Sequence, residues 1–214
     1  MNIKVCGITS KKQLEQLDGL DIEFAGLNFF KGSPRYVGKK ILPGDVAGID
    51  LDIKKTGVFV NAGYDEIMEI AESYDLDMVQ LHGDESPRLC EQLSEEMEVI
   101  KVFRLGDNDK TSIDDEIADY DEVCDYYLFD TASVNGIGGT GKKFDWGRIT
   151  KSKIEKPFFI GGGIGPMDTD LIKSFRHPDF YGVDINSLFE TMPGVKDMGM
   201  ILRFIHSFKP IGKK

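Results

Sequence analysis

Cys6 closes a short run, Asn2-Ile3-Lys4-Val5-Cys6, in which Ile3 and Val5 alternate with Lys4 before Gly7 stops the pattern. A thiol that a strand end delivers into a loop can act as a nucleophile, a base or a redox group. It can also simply pack, because free cysteine is among the most buried residue types. Late in the chain, Phe158-Phe159-Ile160 runs into Gly161-Gly162-Gly163-Ile164-Gly165-Pro166, and Asp184-Ile185-Asn186-Ser187-Leu188-Phe189-Glu190 follows the next apolar run. Bare amides at Gly162 and Gly163, with a short helix starting near Asn186 and Ser187, could coordinate a phosphate. The plainer alternative is that these glycines only permit tight turns. A dinucleotide fingerprint would need glycine where Pro166 stands, so that reading is weak. An earlier cluster, Gly136-Ile137-Gly138-Gly139-Thr140-Gly141-Lys142-Lys143, is one residue from a P-loop. Lys143 occupies the place of the magnesium-holding Ser or Thr, and the cluster starts six residues after Asp130, which argues against a nucleotide triphosphatase.

Such residues have to be positioned by a scaffold, and the apolar pattern supplies one. Apolar runs recur at Ile3–Cys6, Phe24–Phe30, Gly57–Val60, Met78–His82, Val99–Phe103, Tyr126–Asp130, Phe158–Ile160 and Tyr181–Ile185. Amphipathic stretches lie between them, among them Tyr64 to Tyr74, Pro87 to Met97 and Met198 to Phe208. A further helix is expected over Met167 to Phe175. Near-continuous apolar strands alternating with helices indicate a parallel sheet covered on both faces. Eight units in a row, without an intervening linker, predict a single α/β domain over residues 1–214, an eight-stranded parallel (β/α)₈ barrel. The stretches Lys39–Asp50 and Gly141–Ser152 are the expected irregular ones. In such a barrel, active sites gather at the C-terminal strand ends, and loops after strands seven and eight form the recurrent phosphate site.

The chain has 214 residues and a formal net charge of −11, which disfavours nucleic acid and anionic membranes as partners. An anionic substrate would therefore need capture by specific local donors. The acidic stretches at Asp114-Asp115-Glu116 and Asp119 to Asp125 read as a solvated helix face and its exit loop. No apolar run approaches a membrane span, and the N-terminus lacks the pattern of a signal peptide. Cys6, Cys90 and Cys124 show no metal-ligand spacing, and their odd number argues against a disulfide framework. Reduced thiols in a cytoplasmic protein are the expectation.

Several motifs occur in order: Lys4-Val5-Cys6-Gly7-Ile8-Thr9, Ser33-Pro34-Arg35-Tyr36-Val37, Gly57-Val58-Phe59-Val60-Asn61 and Val79-Gln80-Leu81-His82-Gly83-Asp84. After them come Gly138-Gly139-Thr140-Gly141-Lys142 with Phe144-Asp145-Trp146, the Gly161–Gly163 run, and Pro193-Gly194-Val195-Lys196-Asp197. With these motifs the chain resembles the phosphoribosylanthranilate isomerase family over nearly its whole length. It departs from the family at Lys31-Gly32, where Pro-Lys is frequent, and at Leu188, where a small residue is common.

The resemblance implies an Amadori rearrangement of N-(5-phosphoribosyl)anthranilate in tryptophan biosynthesis, with no metal and no organic cofactor. It implies Asp130 as the acid that protonates the furanose ring oxygen and Cys6 as the base that removes the proton from the adjacent sugar carbon. Thiolate is the reactive form, so the site is expected to favour ionisation of Cys6. Arg35 is matched to the anthranilate carboxylate, for which a guanidinium fork is suited. His82 lines the anthranilate side or is a structural histidine bonded to the Asp84 loop. Asp184 orients the pocket or braces a turn. Gly162, Gly163, Asn186 and Ser187 hold the phosphate. The partner is thus a small phosphosugar-anthranilate molecule, and the protein is a monomer or a homodimer. Three alternatives have different requirements. The sister isomerase of histidine biosynthesis uses an aspartate at the end of strand one and two phosphate sites. A metal-dependent epimerase needs a cluster of His and Asp, and a silent phosphosugar-binding barrel needs no acid–base pair.

Overall fold

The computed structural model describes residues 1–38, 40–106, 111–132 and 143–208. Among these residues, eight parallel strands close into a barrel in chain order. They are β1 (Asn2–Cys6), β2 (Phe24–Asn28), β3 (Lys54–Phe59), β4 (Met78–Leu81), β5 (Glu98–Leu105), β6 (Tyr126–Thr131), β7 (Phe158–Ile160) and β8 (Phe180–Ile185). The seam is made by β1 against β8, with Lys4 opposite Asp184 and Val5 opposite Ile185. A two-stranded hairpin, β9 (Glu190–Met192) and β10 (Val195–Lys196), follows β8.

Helices cover the outside: α1 (Lys11–Asp18), α2 (Pro43–Val46), α3 (Tyr64–Tyr74), α4 (Pro87–Ser94), α5 (Ile113–Ile117), α6 (Thr169–Ser174) and α7 (Met198–Phe208). Local chemistry explains where they start. The Ser10 hydroxyl accepts from the Gln13 amide at the head of α1, and Ser86 caps α4 in front of Pro87. In α7, Ile201, Phe204 and Ile205 are buried on one face, and the Phe204 ring meets Phe189 edge-on at 4.9 Å.

Side chains of each strand alternate between two cores. One lies between the strands and the helices and includes Val5, Leu27, Phe129 and Ile185. The other is smaller and fills the barrel with Phe24, Met78, Ile100, Val102, Leu128 and Phe159. Phe24 and Phe159 meet there edge to face at 5.4 Å. Above this apolar plug, the inward positions become polar.

The structure differs from the sequence reading at several element ends. The second strand stops at Asn28, whose side chain accepts from the Phe30 amide and turns the chain. The helix expected to reach Met97 ends at Ser94, and the amides of Glu96 and Met97 fold back on the Leu93 carbonyl. The segment expected to be one helix over Met167 to Phe175 is a 3₁₀ turn, Pro166–Asp168, followed by α6. Asp168 reaches back to the Gly165 amide and so separates the two. Of the stretches expected to be irregular, the first contains the single turn α2 and the second a 3₁₀ segment, Trp146–Lys151.

The acidic stretch is more than a solvated face. Asp114 accepts from the Lys153 amide, Asp121 from the Tyr127 hydroxyl, and Asp125 from the Val99 amide at the start of β5. Of the glycine cluster Gly136 to Lys143, only Lys143 falls among the described residues, and it pairs with Asp168. All three cysteines are free thiols. No described helix is long and apolar enough to cross a membrane.

Candidate active site

A cavity of about 360 Å³ opens at the C-terminal ends of the strands. Every residue singled out from sequence lines it: Cys6, Arg35, His82, Asp130, Gly162, Gly163, Asp184, Asn186 and Ser187. They come from β1, from the loop after β2, and from the ends of β4, β6, β7 and β8. Phe30, left outside β2 by its early end, joins this lining.

Cys6 is buried at the end of β1. Burial pushes its thiol up, and nearby Asp184 adds to that, while Lys4, Lys196 and Arg35 pull the other way. Desolvation thus works against the expected ionisation and outweighs the surrounding cations, which work for it.

Asp130 has a polar neighbour at each oxygen. Its Oδ1 accepts from the Thr131 amide at 2.7 Å, and His82 Nε2 stands 3.3 Å from its Oδ2. The other ring nitrogen of His82, Nδ1, lies 3.0 Å from the Gln80 amide nitrogen. With Gln80 donating, Nδ1 accepts and Nε2 carries the proton that faces Asp130. His82 is thus bonded to Gln80 and faces Asp130, and is not bonded to the Asp84 loop. Asp84 pairs with Arg104 instead.

Gly162 has φ +79°, and a Cβ there would run into Thr131 and the Asp130 carboxylate. Its missing side chain is what lets the turn after β7 pass so close to Asp130. Gly163 follows at φ +68°. Leu188, where a small residue was noted as common, packs its Cδ1 3.1 Å from where a Gly165 Cβ would stand.

Arg35 is mostly covered, with a side chain 11 % exposed, so it is no simple surface arginine. Its fork grips Glu190: Nε donates at 2.9 and 3.1 Å, and Nη2 donates at 2.7 Å. Lys196 clamps the same carboxylate from the other side at 2.7 Å and also donates to the Asn186 side chain at 2.7 Å. Burial works to raise the Glu190 carboxyl, but Arg35 and Lys196 outweigh it and hold the group below its ordinary range. Burial likewise depresses the Lys196 ammonium, against the pull of Glu190.

Asp184 does not stand free in the pocket. Its Oδ1 accepts from Lys4 Nζ at 3.0 Å. Burial pushes the Asp184 carboxyl up, with Lys4 pulling it down. Lys4, Gln80, Glu190 and Lys196 were all missed as site residues from sequence. The spacing of Lys4 and Cys6, two apart on one strand, was the available signal. Nothing in the sequence pairs Glu190 with an arginine 155 positions earlier. Among the described residues, no group of three His, Cys, Asp or Glu side chains could hold a metal ion.

Residues 3–207 match the family described as N-(5'phosphoribosyl)anthranilate (PRA) isomerase. An N-(5'-phosphoribosyl)anthranilate isomerase from Parabacteroides distasonis is 40% identical over 209 residues, covering 96% of this chain and 92% of the relative. The crystal structure of phosphoribosyl anthranilate isomerase from Thermotoga maritima superposes with a TM-score of 0.80 at 31% identity, covering 97% of this chain and 98% of that one. A third similar protein is a phosphoribosyl anthranilate isomerase solved in complex with reduced 1-(o-carboxyphenylamino)-1-deoxyribulose 5-phosphate. Its TM-score is 0.73 at 28% identity, with 97% of each chain covered.

Proposed function

The chain belongs to the N-(5'-phosphoribosyl)anthranilate isomerase family, and from that premise we propose how its own residues carry out the family's reaction. It is an isomerase of tryptophan biosynthesis. The observation that supports the residue assignment is that Cys6 and Asp130 face one cavity alongside the glycine turn after β7.

Asp130 gives its proton to the furanose ring oxygen, the ring carbon–oxygen bond breaks, and an iminium forms at the anthranilate nitrogen. The carboxylate left behind has the Thr131 amide at one oxygen and the His82 ring at the other. Cys6, as thiolate, then takes the proton from the adjacent sugar carbon. The electron pair of that bond moves toward the iminium nitrogen, giving an enol-amine that tautomerises to 1-(2-carboxyphenylamino)-1-deoxyribulose 5-phosphate. Because the iminium already draws electrons from that carbon, a thiolate is a strong enough base. Neither step calls for a metal or an organic cofactor.

Amides of the Gly162-Gly163 turn and of Asn186 and Ser187 hold the phosphate. Gly163→Asp is expected to raise KM by about 10-fold or more through like-charge repulsion, with Gly163→Ala as the control for backbone strain at positive φ. The check is competition by inorganic phosphate. Equal competition in the Asp variant and the wild type would move the phosphate elsewhere.

Arg35 reads the anthranilate carboxylate with the donors that Glu190 leaves unused, and His82 and Asp184 shape that side of the pocket. Arg35→Met removes a charge-assisted hydrogen bond worth roughly 1.5–3 kcal/mol, so kcat/KM should fall about 10- to 150-fold, mainly in KM. Pairing this variant with a substrate analogue that lacks the carboxylate makes a double-mutant cycle. Additive losses would mean that Arg35 and the carboxylate never meet.

In this reading residues 1–214 work as one barrel unit on a small phosphosugar-anthranilate molecule. The biosynthetic step supports a cytoplasmic location, and we take the protein to act as a monomer or a homodimer. Supplying phosphoribosylanthranilate to purified protein and following the loss of anthranilate-type fluorescence tests the activity itself.

A further inference from the structure

Lys4 lies one inward position below Cys6 on β1, and its side chain is entirely buried. A buried ammonium is costly unless it is paired and hydrogen-bonded. Lys4 Nζ donates to Asp184 Oδ1 at 3.0 Å across the β1–β8 seam, and the nearby Cys6 side chain is the other group that favours its charge. Gly26 on β2, opposite Cys6 in the register, shows how tightly these groups are gathered. A Cβ on Gly26 would stand 2.7 Å from the Cys6 sulfur and 3.2 Å from Lys4 Nζ. Sulfur and ammonium therefore both crowd the place where a Gly26 side chain would stand. The mechanism above gives Lys4 no task.

We propose that Lys4 is the counter-ion of the Cys6 thiolate, and that Asp184 holds Lys4 in that position. Lys4 is then a positioning residue that acts through Cys6, and this rests on the reading of Cys6 as the base. The charges facing Cys6 come from several elements: Lys4 on its own strand, Asp184 from β8, Lys196 from β10 and Arg35 from the loop after β2. Asp130 and His82 in turn act on Asp184. Of the cations, Lys4 acts most strongly on the thiol, and Asp184 opposes it. Lys4 itself keeps its proton: burial disfavours its charge, but Asp184 and Cys6 together hold its pKa above the ordinary lysine value. On ionisation the thiol proton leaves to solvent while the ammonium keeps its own. In turnover the sulfur collects the proton from the sugar carbon.

The test is the pH dependence of Cys6 alkylation by iodoacetamide in substrate-free protein, read by peptide mass so that Cys90 and Cys124 do not contribute. Lys4→Met should move the midpoint up by about one unit or more, slowing alkylation at pH 7.5 at least about tenfold. Lys4→Arg keeps a cation at that place, so its midpoint should stay near the wild-type value. A shift that follows the charge and not the presence of a long side chain is not what a merely structural role produces. Should Lys4→Met fail to fold, Lys4→Gln, a neutral polar side chain beside Asp184, is read in its place with the same upward shift expected. A midpoint that stays at the wild-type value in the folded neutral variant would overturn the proposal. Full turnover by Cys6→Ala would instead remove the base assignment while leaving the thiol titration as a valid measure of Lys4.

Discussion

Cys6→Ala should lose at least about 10²-fold in kcat while its circular dichroism remains that of the wild type, because it removes a proton-transfer group worth about 10²–10⁴-fold. The substitution is small for the fold. It deletes one sulfur that faces a cavity, and Lys4 keeps its ion pair with Asp184. The substrate's carboxylate and phosphate contacts are untouched, so KM should change much less than kcat. Serine at the same position should rescue little, since a hydroxyl is far harder to ionise than a thiol. Steady-state fluorescence kinetics on the alanine variant decide the point: turnover near that of the wild type would mean that some other group takes the sugar proton.

Asp130→Asn should show a loss of the same order, for a different reason. The amide has nearly the shape of the carboxyl, and its oxygen can still accept from the Thr131 amide, so the turn against Gly162 is kept. What disappears is a proton to give to the ring oxygen, so ring opening becomes the slow step. We expect kcat to fall by about 10²-fold or more with KM within a few-fold of wild type. A variant with normal kcat but a large rise in KM would show that Asp130 binds substrate and does not donate a proton to it.

Much of this molecule was legible in its sequence. The recurring apolar runs marked the strands of the barrel, and the Gly161–Gly163 run marked the turn after β7 that faces the cavity. Helices with a clear apolar face, such as Tyr64 to Tyr74 and Met198 to Phe208, have the expected ends. Ends set by a side chain bending back on the main chain, at Asn28 and Asp168, were not visible, because apolar periodicity carries no record of them. The partners of the site residues were hidden for a related reason. Arg35 looked free to receive a ligand because Glu190 is distant in sequence, and the ion pair of Asp184 was hidden because nothing says a lysine on β1 will be buried beside it. The desolvation that acts on Cys6 was hidden on the same ground: burial is a property of the closed barrel, which strand one alone does not reveal.

The grip of Glu190 on Arg35 has a consequence for the order in which the molecule can be assembled. Thr9 and Gln13, near the start of the chain, also bond to the Gly194 carbonyl in the hairpin, and Lys4 bonds across to Asp184. A chain emerging from the ribosome with its N-terminus first lays down the loop that bears Arg35 long before the glutamate that fixes it exists. Contacts of such sequence separation must also meet the entropy of closing very long loops. Arg35 is therefore fixed in place only when the last eighth of the protein docks onto the first.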